Sequence, residues 1–211
     1  MNRVFAILGM LAAVGMLLWF FPLFHVVSRE ALRAEKEQSD FHAAEFVKDF
    51  WSVQLMPALV DASDAVTVLA ALRENPMHAG TQFGRVVGLG RSTHYFVRGS
   101  GTIVSVDNQQ IGVSLAGATG DADLVLLTGL LFGNTVRDAT GILSGDDFPN
   151  SQQFNEISSE LNRVIETTVL PPLRERAKVG DAIEFVGCAE VTNIPRDYTP
   201  LRVVPLEVKF K

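Results

Sequence analysis

The sequence has few of the residues that carry catalytic or metal chemistry, with one cysteine and four histidines among 211 residues. The single Cys188 excludes an internal disulfide and a zinc site built from thiolates. It lies in the apolar run IEFVGCAEV, where we expect a buried structural thiol rather than a nucleophile. His42, His78 and His94 stand singly, without the HExxH spacing that brings two imidazoles to one ion. We therefore expect no metal site.

Complete nucleotide-binding motifs are also lacking. No Gly-Lys-Ser or Gly-Lys-Thr occurs, which excludes a Walker loop. The GLGRS core of residues 84–107 resembles a phosphate-binding loop, but Thr93 stands where a dinucleotide fingerprint needs its third glycine, and β-forming residues follow instead of a helix. Glycines inside strands mark bulges and sharp bends. We expect no cofactor, and we predict strand positions for Gly88, Gly90, Gly99 and Gly101.

Positive charge is in the minority. The chain has 18 Lys and Arg residues against 24 Asp and Glu residues, which gives a formal net charge of −6. A nucleic acid or an anionic lipid surface would require a basic face on the protein. The composition therefore argues against both, and we expect no nucleic-acid partner.

A long apolar segment stands at the start of the sequence. Residues 4–27, VFAILGMLAAVGMLLWFFPLFHVV, contain no Asp, Glu, Lys or Arg. At about 1.5 Å per residue, a helix of this length crosses a hydrocarbon core of about 30 Å. A cleaved signal is the alternative, although its apolar run is usually shorter and no Ala-x-Ala-like site follows here. We predict an uncleaved membrane anchor over residues 1–28 and a juxtamembrane linker over 29–40.

The body, residues 41–211, contains segments in which apolar residues recur at helical spacing and segments in which they alternate as in strands. Apolar residues recur at helical spacing up to Pro57, and a second helix begins at Ser63 or Asp64 and stops at Asn75-Pro76. Strand patterns start near Arg85, and GATGDADL reads as a hairpin turn rather than a calcium loop.

A long amphipathic helix is predicted after Asn150, which with Gln153 forms a variant of the capping box. Pro171 and Pro172 are expected to end this helix, and strands follow to the C-terminus. The sequence thus predicts an α+β fold with an N-terminal transmembrane anchor, a helical region packed on one or two small OB-like β-barrels, and one long amphipathic helix. If there are two barrels, they are sub-barrels over residues 85–145 and 178–211.

Polar residues gather in NTVRDATGILSGDDFPN, between a strand and the long helix. A structural reading makes Asp147 or Asn150 a helix cap and pairs Arg137 with a carboxylate. A functional reading makes this loop a ligand pocket, with Arg137 as a bidentate donor and the acids as acceptors for sugar hydroxyls. The candidate ligand-binding residues are Arg137, Asp138, Asp147 and Asn150.

The order of FWSVQLMPAL, FVRGSGTIVSVD, GNTVRDATGI, DDFPNSQQFNEISSELN and TPLRVVPLEVKF resembles the predicted periplasmic lipoprotein family known as domain of unknown function 2291. The resemblance covers about residues 41–210 and implies an extracytoplasmic accessory role beside sugar-type ABC importers. That family usually carries a lipobox cysteine, whereas residues 4–30 here contain none. We therefore expect residues 4–27 to replace the lipid as the membrane tether.

Charge counting alone leaves the side of the membrane undecided. The resemblance favours a single-pass protein of the cytoplasmic (inner) membrane with its body in the periplasm. Our leading hypothesis is a non-enzymatic, membrane-tethered accessory protein that binds an ABC transporter component or a small, sugar-like ligand. The alternative is a hydrolase that uses Asp138, Asp146 or Asp147, which requires two of these carboxylates to converge in a cleft.

Overall fold

The structure is a computed structural model that describes Phe5 and residues 41–87, 92–115, 120–192 and 194–211. The chain divides into two units, Met1–Phe41 and His42–Lys211, and the fold below is that of the second. Within the described residues, no helix has the length and apolar character needed to cross a membrane. Apart from Phe5, the predicted anchor and the predicted linker lie outside these residues.

Three helices begin the second unit: α1 (Ala43–Phe50), α2 (Ala65–Glu74) and α3 (Pro76–Phe83). A π-helical turn (Trp51–Leu55) and a 3-10 turn (Pro57–Asp61) continue α1. The expected cap of α2 is confirmed at Asp64, whose Oδ1 accepts from the Thr67 N–H at 2.9 Å. Asn75-Pro76 ends α2 as predicted and also starts α3, because proline fits the first turn of a helix.

In the part of the chain that the structure describes, seven strands form one sheet. They are β1 (Ser63–Asp64), β2 (Gly84–Val86), β3 (Thr93–Val106), β4 (Gln110–Ser114), β5 (Leu124–Leu127), β6 (Ala182–Val191) and β7 (Leu201–Phe210). The order β3-β4-β5-β7-β6 closes into a barrel because β6 also pairs with β3. Strand β7 runs parallel to β5 and antiparallel to β6, whereas β1 and β2 both pair with β3.

Both strand regions of the sequence contribute to this one barrel, so the alternative of two separate sub-barrels is wrong. The physical reason is the length of β3, which pairs with β6 through residues 93–102 and with β4 through residues 102–106. Gly101 lies near this change of partner, where an added Cβ would clash with the Ser114 carbonyl oxygen. A glycine is therefore needed for the close approach of β3 and β4.

The connection between β5 and β6 is helical. It contains α4 (Thr135–Thr140), a 3-10 turn (Gly145–Asp147), α5 (Ser151–Val164), a π-helical turn (Ile165–Val169) and α6 (Leu170–Arg176). The prediction that Pro171 and Pro172 end the long helix is wrong. Both prolines fall in the first turn of α6, where a helix does not require their missing N–H groups.

The core lies inside the barrel. Alternate residues of the strands fill it, and α2 closes it with Val68, Leu69 and Leu72. A short helix, α7 (Ile194–Asp197), lies between β6 and β7. A five-stranded Greek-key barrel with a helix between its third and fourth strands has the connectivity of an OB fold. The predicted α+β class and OB-like barrel are confirmed.

Candidate functional site

Arg137 and Asp138 are neighbours in α4, and only 5% and 7% of their surfaces are exposed. Arg137 Nε donates to Asp138 Oδ1 at 2.7 Å, and Arg137 Nη1 donates to the Phe154 carbonyl oxygen at 3.0 Å. The guanidinium carbon also lies 3.6 Å from the centroid of the Phe154 ring. The fold itself thus uses this guanidinium, and the contacts favour the structural reading of Arg137.

Asp147 and Asn150 each bind a backbone N–H group at the start of a helical segment. Asp147 Oδ2 accepts from the Ser144 N–H at 2.9 Å, which completes a capping box around the 3-10 turn. Asn150 Oδ1 accepts from the Gln153 N–H at 2.9 Å and caps α5. Such N–H groups have no partner within their own helix, so these side chains satisfy them. The contacts again favour the structural reading.

The hydrolase hypothesis requires two carboxylates of Asp138, Asp146 and Asp147 to converge in a cleft. The contacts of these residues do not show such a pair. Asp138 is buried against Arg137, and Asp147 is engaged by Ser144. Asp146 lies on the exposed 3-10 turn beside Asp147. Nothing in this arrangement supports a hydrolase.

Two further residues join Arg137 and Asp138. The pairing of β3 with β6 sets His94 opposite Glu190. His94 Nε2 is 3.9 Å from Asp138 Oδ2 and 3.8 Å from Glu190 Oε2, and His94 is 5% exposed. We call Arg137, Asp138, His94 and Glu190 the buried charge network. Among the described residues, His94 Nδ1 has no hydrogen-bond partner.

A polar cavity of about 450 Å³, which we call the β7 cavity, lies beside Glu190. It is bordered by β5, β6, β7, the start of α4, and the connection between β6 and β7. The residues that line it are Leu127, Thr135, Glu190, Thr192, Arg196, Asp197, Arg202 and Val204. The cavity thus combines two carboxylates, two guanidinium groups and two hydroxyls with an apolar surface from Leu127 and Val204.

The carboxylates of the β7 cavity accept hydrogen bonds from the protein. Glu190 Oε2 accepts from Thr135 Oγ1 at 3.1 Å, and Glu190 Oε1 accepts from Thr192 Oγ1 at 3.4 Å. Asp197 Oδ2 accepts from the Thr192 N–H at 2.7 Å. Arg202, by contrast, is exposed on β7 and makes no hydrogen bond or ion pair with any described residue.

A second cavity, which we call the hairpin cavity, also has a volume of about 450 Å³ and shares Leu127 and Arg202 with the β7 cavity. The remaining lining residues are Asp107, Gln109, Gln110, Gly129, Leu130 and Phe132. Leu130 and Phe132 are 77% and 81% exposed. The backbone N–H groups of Gln109 and Gln110 donate to Asp107, and these bonds lower the pKa of its carboxyl group.

The glycine-rich stretch around β3 and the GATGDADL stretch both contribute to the fold. Gly99 and Gly101 lie in β3 as predicted, whereas Gly88 and Gly90 lie outside the described residues. In the GATGDADL stretch, Asp123 Oδ2 accepts from the Leu115 N–H at 3.0 Å, and Asp123 Oδ1 lies 3.1 Å from Arg73 Nη2. Through these contacts Asp123 stabilises the connection between β4 and β5.

The thiol of Cys188 is buried in β6, and this burial raises its pKa far above the usual value. A thiol that stays protonated is a poor nucleophile, which agrees with the structural role expected for it. Over the part of the chain that the structure describes, no three His, Cys, Asp or Glu side chains gather in a way that could hold a metal ion.

Sequence reasoning missed the residues of the β7 cavity. Arg202 and Glu190 lie in strand patterns that predict packing, and Arg196 lies in a turn-rich stretch. Their proximity depends on the parallel pairing of β5 with β7, which joins segments that are distant in the sequence. A usable signal was the turn-rich TNIPRDYTP, because loops between strands often carry binding residues.

Comparisons with known proteins agree with this fold. The family model described as predicted periplasmic lipoprotein (DUF2291) matches residues 14–209. The crystal structure of an OB-fold protein from Thermotoga maritima is similar with a TM-score of 0.72 and 28% identity, covering 81% of this chain and 99% of that chain. The comparison with curated proteins finds no match. Because the family model spans most of the chain, the protein belongs to the DUF2291 family of predicted periplasmic lipoproteins.

Proposed function

We propose that the protein is a membrane-tethered extracytoplasmic accessory protein that binds a small polar ligand beside a sugar-type ABC transport system. Its family is described as periplasmic, which supports an envelope location. The resemblance discussed above is the basis for the link to sugar import. Residues 4–27 supply the tether in this proposal.

The observation that carries the ligand-binding role is the β7 cavity. OB folds bind ligands at the face of their second and third strands, between the loop that joins strands one and two and the loop that joins strands four and five. Here β5 is the third barrel strand, and Thr192 and Arg196 follow the fourth. The volume of about 450 Å³ lies within the range of about 300–1,000 Å³ typical of small-molecule sites.

Thermal denaturation of the full-length protein with a panel of neutral and acidic sugars tests this role. A ligand that binds the folded state raises the melting temperature in a concentration-dependent way. We expect Arg202→Ala to abolish this increase. Arg98→Ala is the matched control, because Arg98 is also exposed on a strand but lines a different cavity. If no sugar shifts the melting temperature, or if both variants respond equally, the cavity does not have this role.

The exposed Leu130 and Phe132 favour a second candidate, in which a component of the transport system binds to the loop after β5. Contiguous exposed apolar side chains are typical of protein contacts. Co-purification of the full-length protein with its transporter distinguishes the two. A Leu130→Ser, Phe132→Ser double variant that loses the transporter but still binds sugar would favour the partner role.

The tether and the orientation have their own test. A reporter active only outside the cytoplasm is fused after Lys211, and we expect it to be active. Deletion of residues 1–28 is expected to release the body from the membrane fraction. An expressed but inactive fusion contradicts the orientation, and a truncated protein that remains membrane-bound contradicts the proposed tether.

A further inference from the structure

The charged side chains of the β7 cavity differ in whether the protein already supplies them with hydrogen-bond partners. Glu190 accepts hydrogen bonds from two threonine hydroxyls, and Asp197 accepts one from a backbone N–H. Arg196 and Arg202 make no hydrogen bond or ion pair with the described part of the chain. The acceptors of the cavity thus already have donors, whereas its strongest donors lack acceptors.

Each guanidinium presents planar N–H groups that match the paired oxygens of a carboxylate or a phosphate. Two such groups line one cavity of about 450 Å³ in a chain whose formal net charge is −6. Glu190 and Asp197 balance the formal charge of these two groups, but the guanidinium donors have no acceptor among the described residues, and a small anion supplies one.

From this geometry we infer that the ligand of the β7 cavity is a small acid, whose carboxylate or phosphate oxygens accept hydrogen bonds from Arg196 and Arg202. The apolar surface of Leu127 and Val204 contacts its carbon skeleton, and Glu190 and Asp197 accept from its hydroxyl groups. This inference rests on the ligand-binding role proposed above and specifies the class of ligand.

Isothermal titration calorimetry of the full-length protein with galacturonate, galactose 6-phosphate and galactose tests the inference. The three probes share one ring and differ in the anionic group. We expect galactose to bind at least about tenfold more weakly than one or both acids, because its neutral hydroxyls leave the guanidinium groups without a charged partner. The comparison of galacturonate with galactose 6-phosphate shows whether the site prefers a carboxylate or a phosphate group.

Three variants locate the contact. Arg202→Ala and Arg196→Ala are expected to weaken the binding of the acid by at least about tenfold while Arg98→Ala leaves it unchanged. Thermal melting without ligand establishes that each variant is folded. Equal affinity for galactose and galacturonate overturns the inference but leaves the proposed function in place. If none of the three probes binds, both fail. Acid binding that survives Arg196→Ala overturns the assignment to this cavity, because Arg202 also lines the hairpin cavity.

Discussion

The buried charge network and the β7 cavity contain the same kinds of side chain, yet they differ in how the protein uses them. In the network, Arg137 is 5% exposed and donates to Asp138 and to the Phe154 carbonyl. In the cavity, Arg202 is exposed and makes no such contact with the described residues. An arginine whose donors are used within the fold stabilises it, whereas one whose donors are free is available to a ligand.

Glu190 belongs to both regions, because its side chain faces His94 and also lines the β7 cavity. Its side chain is 34% exposed, compared with 8% for Asp138. The carboxylate of Glu190 therefore contacts buried side chains of the network and is also accessible from the cavity. Substitutions on either side of it test the comparison.

The largest expected effect is that of Arg137→Ala. The substitution leaves the carboxylate of Asp138 buried without its partner, so we expect a loss of about 3 kcal/mol in the free energy of unfolding. Arg202→Ala is expected to change this free energy little, because Arg202 is exposed and makes no hydrogen bond or ion pair with the described residues. Urea denaturation followed by circular dichroism measures both values.

Arg137→Lys sharpens the comparison. It keeps the positive charge but loses the planar group that lies against Phe154, so we expect a loss of stability smaller than that of the alanine variant. If Arg137→Ala melts like the wild-type protein but no longer binds the sugar acids, Arg137 belongs to a ligand site and the contrast between the two regions is wrong.

The next effect is on the rate at which a thiol reagent labels Cys188. Cys188 is the only cysteine of the chain and lies in β6, two residues before Glu190. Its thiol is buried in the folded protein and reacts only when the structure around it opens. Since 1.4 kcal/mol corresponds to a factor of ten, a loss of about 3 kcal/mol in Arg137→Ala should speed labelling by about 100-fold.

The measurement is the rate of labelling of the folded protein by a maleimide at fixed pH. Arg202→Ala is the control and should label at the wild-type rate. Fast labelling of the wild-type protein itself would contradict the burial of Cys188, and equal rates in the two arginine variants would remove the contrast between the network and the cavity.

The sequence predicts the elements of this fold better than their assembly. Local signals such as the caps at Asp64 and Asn150 give the starts of α2 and α5, because a cap needs only the residues next to it. The closure of one barrel depends on the pairing of β3 with both β4 and β6. Periodicity cannot determine such pairings, because it specifies the face of a strand and not its neighbour.

The candidate site shows the same limit. The cluster around Arg137 was visible because its residues are close in sequence, and the structural reading of that cluster is the one its contacts favour. The β7 cavity combines Thr135, Glu190 and Arg202 from three separate elements. Only the tertiary structure brings them together, so the turn-rich TNIPRDYTP could indicate a binding loop but not the strand residues that complete the cavity.

A smaller effect is expected from Asn150→Ala. The Asn150 side chain caps α5, so its loss should lower the free energy of unfolding by about 1 kcal/mol. Asn150→Asp is the matched control, because aspartate also accepts from the Gln153 N–H and should retain the stability. Neither change should alter the binding of the sugar acids. A binding defect in the alanine variant at unchanged stability would support the ligand reading of this loop.

The smallest effect is a pH dependence at Asp107. Hydrogen bonds from the Gln109 and Gln110 N–H groups lower the pKa of this carboxyl group in the folded protein, compared with about 3.9 in an unfolded chain. Its contribution to stability is therefore complete above the unfolded pKa and is lost as the pH falls through the lower, folded pKa. Asp107→Asn should have a slightly lower urea midpoint than the wild-type protein at pH 7, and the difference should be smaller at about pH 3, below the unfolded pKa. Asp121→Asn removes the same charge from an exposed residue that makes no hydrogen bond with the described residues, and is the control. A difference of the same size at both pH values would mean that the carboxylate of Asp107 does not stabilise the turn that borders the hairpin cavity.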